Sequence, residues 1–126
     1  MPAYFWLNEF GALVQAAFGA TAYQVGSSVE SKQWRDVDVR LIMSDEQFAQ
    51  WFGPIERVHA NPLFHALTLA FAELGKRMTG LPIDFQIQQQ SDANAKHKGV
   101  RNALIVAPNR GLSYSGPTDE HIADAN

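Results

Sequence analysis

The sequence predicts an α/β (α+β) domain in which helices cover a β-sheet. Two stretches, 36–43 and 82–88, alternate apolar and polar residues with the period of two that marks a half-buried strand. Two others, 8–18 and 62–79, repeat apolar residues at the helical period. Strands and helices that alternate along one chain pack as layers, helix on sheet. The chain has 126 residues, 46% apolar and 18% charged, a balance that suits one hydrophobic core and excludes a disordered or low-complexity chain. No linker or repeat divides it. Residues 1–107 read as one domain, and 108–126 as a polar, flexible tail.

The first helix is expected from Asn8 to Phe18. Asn8 caps it, and Phe10, Leu13, Val14, Ala17 and Phe18 turn inward. Gly19 ends it, and Thr21–Val25 follows as a strand that Gly26-Ser27-Ser28 breaks. Ser28–Trp34 is polar and reads as a loop or a helical turn. In the next strand, Asp36–Met43, Val37, Val39, Leu41 and Met43 share one face. Asp36, Asp38, Arg40 and Ile42 share the other. Ser44 and Gln47 form a capping box for a short helix with Phe48, Trp51 and Phe52 on its buried side, which Gly53-Pro54 stops. Asn61-Pro62 opens the longest helix, cap followed by a proline whose missing N–H costs nothing there. Its inward stripe is Leu63, Leu67, Ala70, Phe71, Leu74 and Met78, and Gly80 closes it. Pro82–Gln88 then turns Ile83, Phe85 and Ile87 one way and Asp84, Gln86 and Gln88 the other. Ala103–Ala107 is a short apolar run suited to a last strand.

Composition excludes several functions. There is no cysteine, hence no disulfide scaffold, thiolate zinc site or cysteine nucleophile, and the chain suits the cytoplasm. No apolar run is long enough to span a membrane, and the N-terminus lacks the basic start of a signal peptide. A net charge of −3 gives no general attraction for nucleic acid.

Three aspartates carry the chemistry. Asp36 and Asp38 project from one strand face about 7 Å apart. Asp84 holds the equivalent place in the middle of a second strand. Aspartate is depleted in strands, so two strands that each carry it inside an alternating pattern point beyond surface solubility. If the strands pair, three like charges converge and repel. A divalent cation relieves that repulsion, and an all-oxygen ligand set without His or Cys suits Mg²⁺ or Mn²⁺. Upstream, Val25-Gly26-Ser27 follows a strand, and its bare backbone and hydroxyl suit phosphate oxygens.

In that order, Val25-Gly26-Ser27, Asp36-Val37-Asp38-Val39 and Ile83-Asp84-Phe85 resemble the motifs of the nucleotidyltransferase superfamily that includes DNA polymerase beta and the minimal nucleotidyltransferases. The resemblance covers roughly residues 8 to 88. It implies a mixed sheet and transfer of a nucleoside monophosphate from an NTP to an acceptor hydroxyl. It places Gly26 and Ser27 on the triphosphate and Asp36, Asp38 and Asp84 on Mg²⁺ or Mn²⁺, with Asp84 also orienting or deprotonating the acceptor. The acceptor is left open: a small molecule, a protein or an RNA end. Larger relatives carry a helical domain that this chain lacks, which implies a homodimer or a helical partner protein, as in toxin–antitoxin pairs. The alternative is a module of this fold without catalysis that binds nucleotide or a protein partner.

Other residues weigh less. Arg40 shares the face of the acids and suits either phosphate or an ion pair that offsets them. Lys96, His97, Lys98 and Arg101 read first as a solvated basic run, and second as a site for the triphosphate or an acidic acceptor. Trp6, Trp34 and Trp51 read first as core or lid residues, and Trp34 alone reads second as a residue that stacks on a base.

Overall fold

A computed structural model describes residues 3–26 and 36–105. Ser27, the Ser28–Trp34 stretch, Arg35 and the tail from 108 lie outside the described residues. The elements in chain order are α1 (Ala3–Phe18), β1 (Ala22–Val25), β2 (Val37–Met43), α2 (Asp45–Phe52), a 3₁₀ helix (Ile55–Ala60), α3 (Pro62–Thr79), β3 (Ile83–Gln89), α4 (Gln90–Lys96) and β4 (Arg101–Ala103). The strands form one mixed sheet in the order β3-β2-β1-β4. β1 runs antiparallel to β2 and β4, whereas β2 and β3 are parallel. No helix among the described residues is long and apolar enough to cross a membrane.

The alternation read in β2 and β3 decides the layers. Val37, Val39, Leu41, Met43, Ile83, Phe85 and Ile87 are all buried on one face, where α1 and α3 cover them. Phe10 of α1 meets Phe85 edge-on at 6.0 Å between ring centroids, and Phe71 of α3 meets Phe85 at 6.1 Å. Gly75 lets the two helices close up, since a Cβ there would lie 3.0 Å from the Phe10 ring. The other face of the sheet carries the polar set.

Local signals place most helix ends. Ser44 Oγ accepts from the Gln47 backbone N–H at 3.1 Å, half of the expected capping box. The Gln47 side chain instead donates to the Phe18 carbonyl at 2.7 Å and ties α2 to the end of α1. Asn61 Oδ1 accepts from Phe64 N at 3.1 Å, and Gly80 closes α3 in the left-handed conformation at φ 72°.

Five expectations are corrected. α1 begins at Ala3, so Asn8 lies inside it and donates to the Tyr4 carbonyl. The reason is burial: Leu7 extends the inward stripe Leu7, Phe10, Val14, Phe18, and Ala17 falls outside it and is exposed. In α3 the stripe runs through Phe64, Leu67, Phe71, Leu74 and Met78, which leaves Leu63 and Ala70 exposed on its flank. Trp6 and Trp51 are exposed at 38% and 37%, at the margin of the core rather than in it. Among the described residues the last strand is Arg101–Ala103, where the segment meets the open edge of β1 with Tyr23 opposite Ala103 and Val25 opposite Arg101, and of the expected Ala103–Ala107 strand Val106 and Ala107 lie outside the described residues. Gln90–Lys96, read only as polar and basic, is helical.

α4 owes its start to another element. Its preceding residue Gln89 provides no side-chain cap. Asp45, the first residue of α2, accepts from the Ser91 backbone N–H at 2.9 Å and from the Ser91 hydroxyl. Parallel β2 and β3 end side by side, so the helices that follow them start side by side. The two Ser91 hydrogen bonds, the hydroxyl's first, hold the Asp45 carboxyl below its ordinary range.

Two predictions follow from this packing. Phe10→Ala should cost about 3–5 kcal/mol, read as a lower urea midpoint with an unchanged slope. A depressed carboxylate contributes stability above its unfolded pKa and loses it as pH falls through the folded value. Ser91→Ala should therefore melt below the parent at pH 6, and the gap should close as pH falls below about 4.

Candidate functional site

Strand pairing brings two of the three aspartates face to face. Asp38 of β2 is the direct partner of Asp84 of β3, and Val25 of β1 stands opposite Asp38 on its other side. Asp36 precedes the first residue of β2 on the same face and is exposed. Among the described residues no group of three acidic, His or Cys side chains is arranged as a metal cage.

Arg40 lies between the two carboxylates. Its guanidinium donates to the Asp84 carbonyl at 2.7 Å and to Asp84 Oδ2 at 3.4 Å, and it approaches Asp38 Oδ1 at 3.7 Å. Burial, first, pushes the Asp38 carboxyl above its ordinary range. Arg40 opposes the shift. The charges of Asp84 and Asp36, and a hydrogen bond shared with the Asp84 carboxyl, add to it. Arg40 acts on Asp38 more strongly than either neighbouring acid does, and burial is the first cause of the rise. Carboxylate oxygens are the donors a hard divalent cation takes, and Asp36, Asp38 and Asp84 are the residues here that offer them.

Gly26 is built against the acids. Its φ is 77°, and a Cβ there would lie 2.5 Å from Asp38 Oδ2. Both the turn and the close approach require glycine. Ser27, which the resemblance places on the triphosphate, and Trp34, read first as core or lid and second as a base stacker, lie outside the described residues.

A cleft of about 360 Å³ opens beside this cluster. Asp38, Arg40, Val25 and Gly26 form one wall, and Lys96, His97, Lys98 and Arg101 form the other. The basic run lines the cleft while Lys96, His97 and Lys98 stay exposed to solvent, as expected of a solvated run. β4 brings it there by pairing with β1. Arg101 braces the run, donating to Asn94 Oδ1 at 2.9 Å and to the His97 carbonyl at 3.3 Å. Lys96 pairs with Asp92 at 3.1 Å, whereas Lys98 makes no ion pair among the described residues. Ile42, Gln88, Gly99 and Val100 complete the lining. The places of Ile42 and Gln88 on the polar strand faces were legible, but not their convergence.

The chain has no significant match among family models, curated proteins or solved structures.

Gly26→Ala should destabilise the fold by about 1–2 kcal/mol from backbone strain alone. It should also displace the Asp38 carboxylate. Urea unfolding measures the first effect, and the chemical shift of the Asp38 carboxyl carbon the second.

Proposed function

We propose that this chain is a metal-dependent nucleotidyltransferase that moves a nucleoside monophosphate from an NTP to an acceptor hydroxyl. The observation that carries the reading is that Asp38, paired across the strands with Asp84, lines a cleft together with Lys96, Lys98 and Arg101. Carboxylates alone repel a triphosphate, and cations alone bind one without directing chemistry. The two together suit metal-assisted phosphoryl chemistry.

Asp36, Asp38 and Asp84 would hold Mg²⁺ or Mn²⁺. The ion would supply charge neutralisation and alignment of the phosphoryl oxygens. The backbone at Gly26 admits phosphate closely, with Ser27 next in sequence, and Lys98 and Arg101 face it across the cleft. Arg40 positions the acids and adds a positive charge beside the reacting group. Asp84 orients the acceptor hydroxyl and takes its proton. The acceptor oxygen bonds to the α-phosphorus, the bond to the bridging oxygen breaks, and pyrophosphate leaves. A second copy or a helical partner protein would complete the acceptor's surroundings. NTP as donor and the absence of cysteine fit a cytoplasmic setting.

A second reading, a non-catalytic module that binds nucleotide or a protein partner, is favoured by Arg40. Its guanidinium already offsets the acids from within the chain.

Calorimetric titration with ATP and then the other NTPs, with and without Mg²⁺, tests both. The proposal expects binding that requires the metal and falls at least tenfold in Asp36→Ala, Asp38→Ala and Asp84→Ala. Asp38→Ala should keep the fold, within about 1 kcal/mol of the parent, because it removes a member of a repelling cluster. NTP binding indifferent to metal and to these variants would favour the second reading. No NTP binding under any condition would overturn the nucleotidyltransferase.

A further inference from the structure

A second cavity, of about 460 Å³, lies along the outer edge of β3. Phe48, Phe64, Ile55, Val58 and Ile87 give it an apolar, partly aromatic floor. Its rim is made largely of amides and imidazoles. Gln86, Gln88 and Gln89 come from β3, and His59 and His65 from the 3₁₀ helix and α3. His65 Nε2 is fixed 2.8 Å from the His59 carbonyl, and Thr68 donates to the Phe64 carbonyl. The one carboxylate on this rim, Asp92, is paired with Lys96. The volume falls within the range of small-molecule sites, roughly 300–1,000 Å³. An aromatic floor with side-chain amides at the edge suits a flat heterocycle with both donors and acceptors. A phosphate would meet Asp92.

The cavity neighbours the first cleft. Gln88, Lys96 and His97 line both. Across the sheet order β3-β2-β1-β4, the chemistry changes in sequence. Arg101 on β4 and the Gly26 backbone after β1 offer positive charge and N–H groups. Asp38 on β2 and Asp84 on β3 offer carboxylates. Beyond β3 come the amides and the aromatic floor. Gln86, the cavity residue nearest to Asp84, lies two residues beyond it on β3, about 7 Å along the strand, a separation that the phosphate and base of one nucleotide can span. A nucleotide laid along these groups would put its phosphates at the β1–β4 end and its base past the β3 edge.

Building on the nucleotidyltransferase reading, we infer that the cavity at the β3 edge is the nucleobase pocket of the donor NTP. It selects the base through the glutamine amides and binds a nucleoside without metal or phosphate.

The test separates this pocket from the phosphate site. Adenosine, guanosine, cytidine and uridine are titrated without metal, and inorganic tripolyphosphate with Mg²⁺, by ligand-observed NMR on the full chain. The variants are Gln89→Ala, which removes an amide from the rim, and Thr68→Phe, which fills the cavity from α3. The expected result is metal-free binding of at least one nucleoside, weakened at least tenfold in both variants. Their tripolyphosphate binding and melting temperatures should match the parent. Tripolyphosphate binding without any nucleoside binding would overturn the base pocket and leave the proposed function standing. Nucleoside binding that survives both variants would overturn the pocket's location. Nucleoside binding lost in both variants, with no tripolyphosphate binding to the parent, would support the pocket and count against the nucleotidyltransferase.

Discussion

The register between β2 and β3 is the constraint from which the candidate site is built. Parallel pairing in this register sets Val37 against Ile83, Val39 against Phe85 and Leu41 against Ile87, all beneath α1 and α3. The same register sets Asp38 against Asp84 on the opposite face. A slip of one residue would turn Phe85 to water and Asp84 into the core. The apolar side chains therefore hold the acids in place, although the acids repel. Arg40 makes that arrangement tolerable, because its guanidinium reaches the Asp84 backbone as well as both carboxylates.

Much of this was legible in the sequence. Strict alternation in 36–43 and 82–88 gave the strands and the face of each aspartate. Asn61, Pro62 and Gly80 gave the limits of α3 because caps are local chemistry. What was not legible depends on residues distant in the chain. α4 is short and polar, and its cap is Asp45, forty-six residues upstream of Ser91. Lys96–Arg101 is largely exposed, as a solvated run should be, but its place beside the acids was not legible because only the pairing of β4 with β1 carries it over the sheet. The start of α1 was missed because Tyr4, Phe5, Trp6 and Leu7 form an unbroken apolar run, in which periodicity distinguishes nothing.

Electrostatics links the two walls of the cleft. The acids lie on a rigid, mostly buried sheet, and the cations on a segment held by α4 and by the bonds of Arg101. The Asp45–Ser91 contact, although fully exposed, thus fixes the start of the element that leads into the basic wall. A side chain far from the cleft contributes to its width.

The parallel pairing also has a consequence for assembly. Forty-four residues of chain separate Arg40 from Asp84. Closing that span loses chain entropy before any strand contact returns it, which makes such pairings slow to form. β3 is also an edge strand with a single neighbour in the sheet. If it detached, β1 and β2 would remain paired while the site lost Asp84 and the rim of the second cavity together. A ligand that touches both β2 and β3 would then act as a clasp on the fold, and its concentration would set how long the domain stays closed.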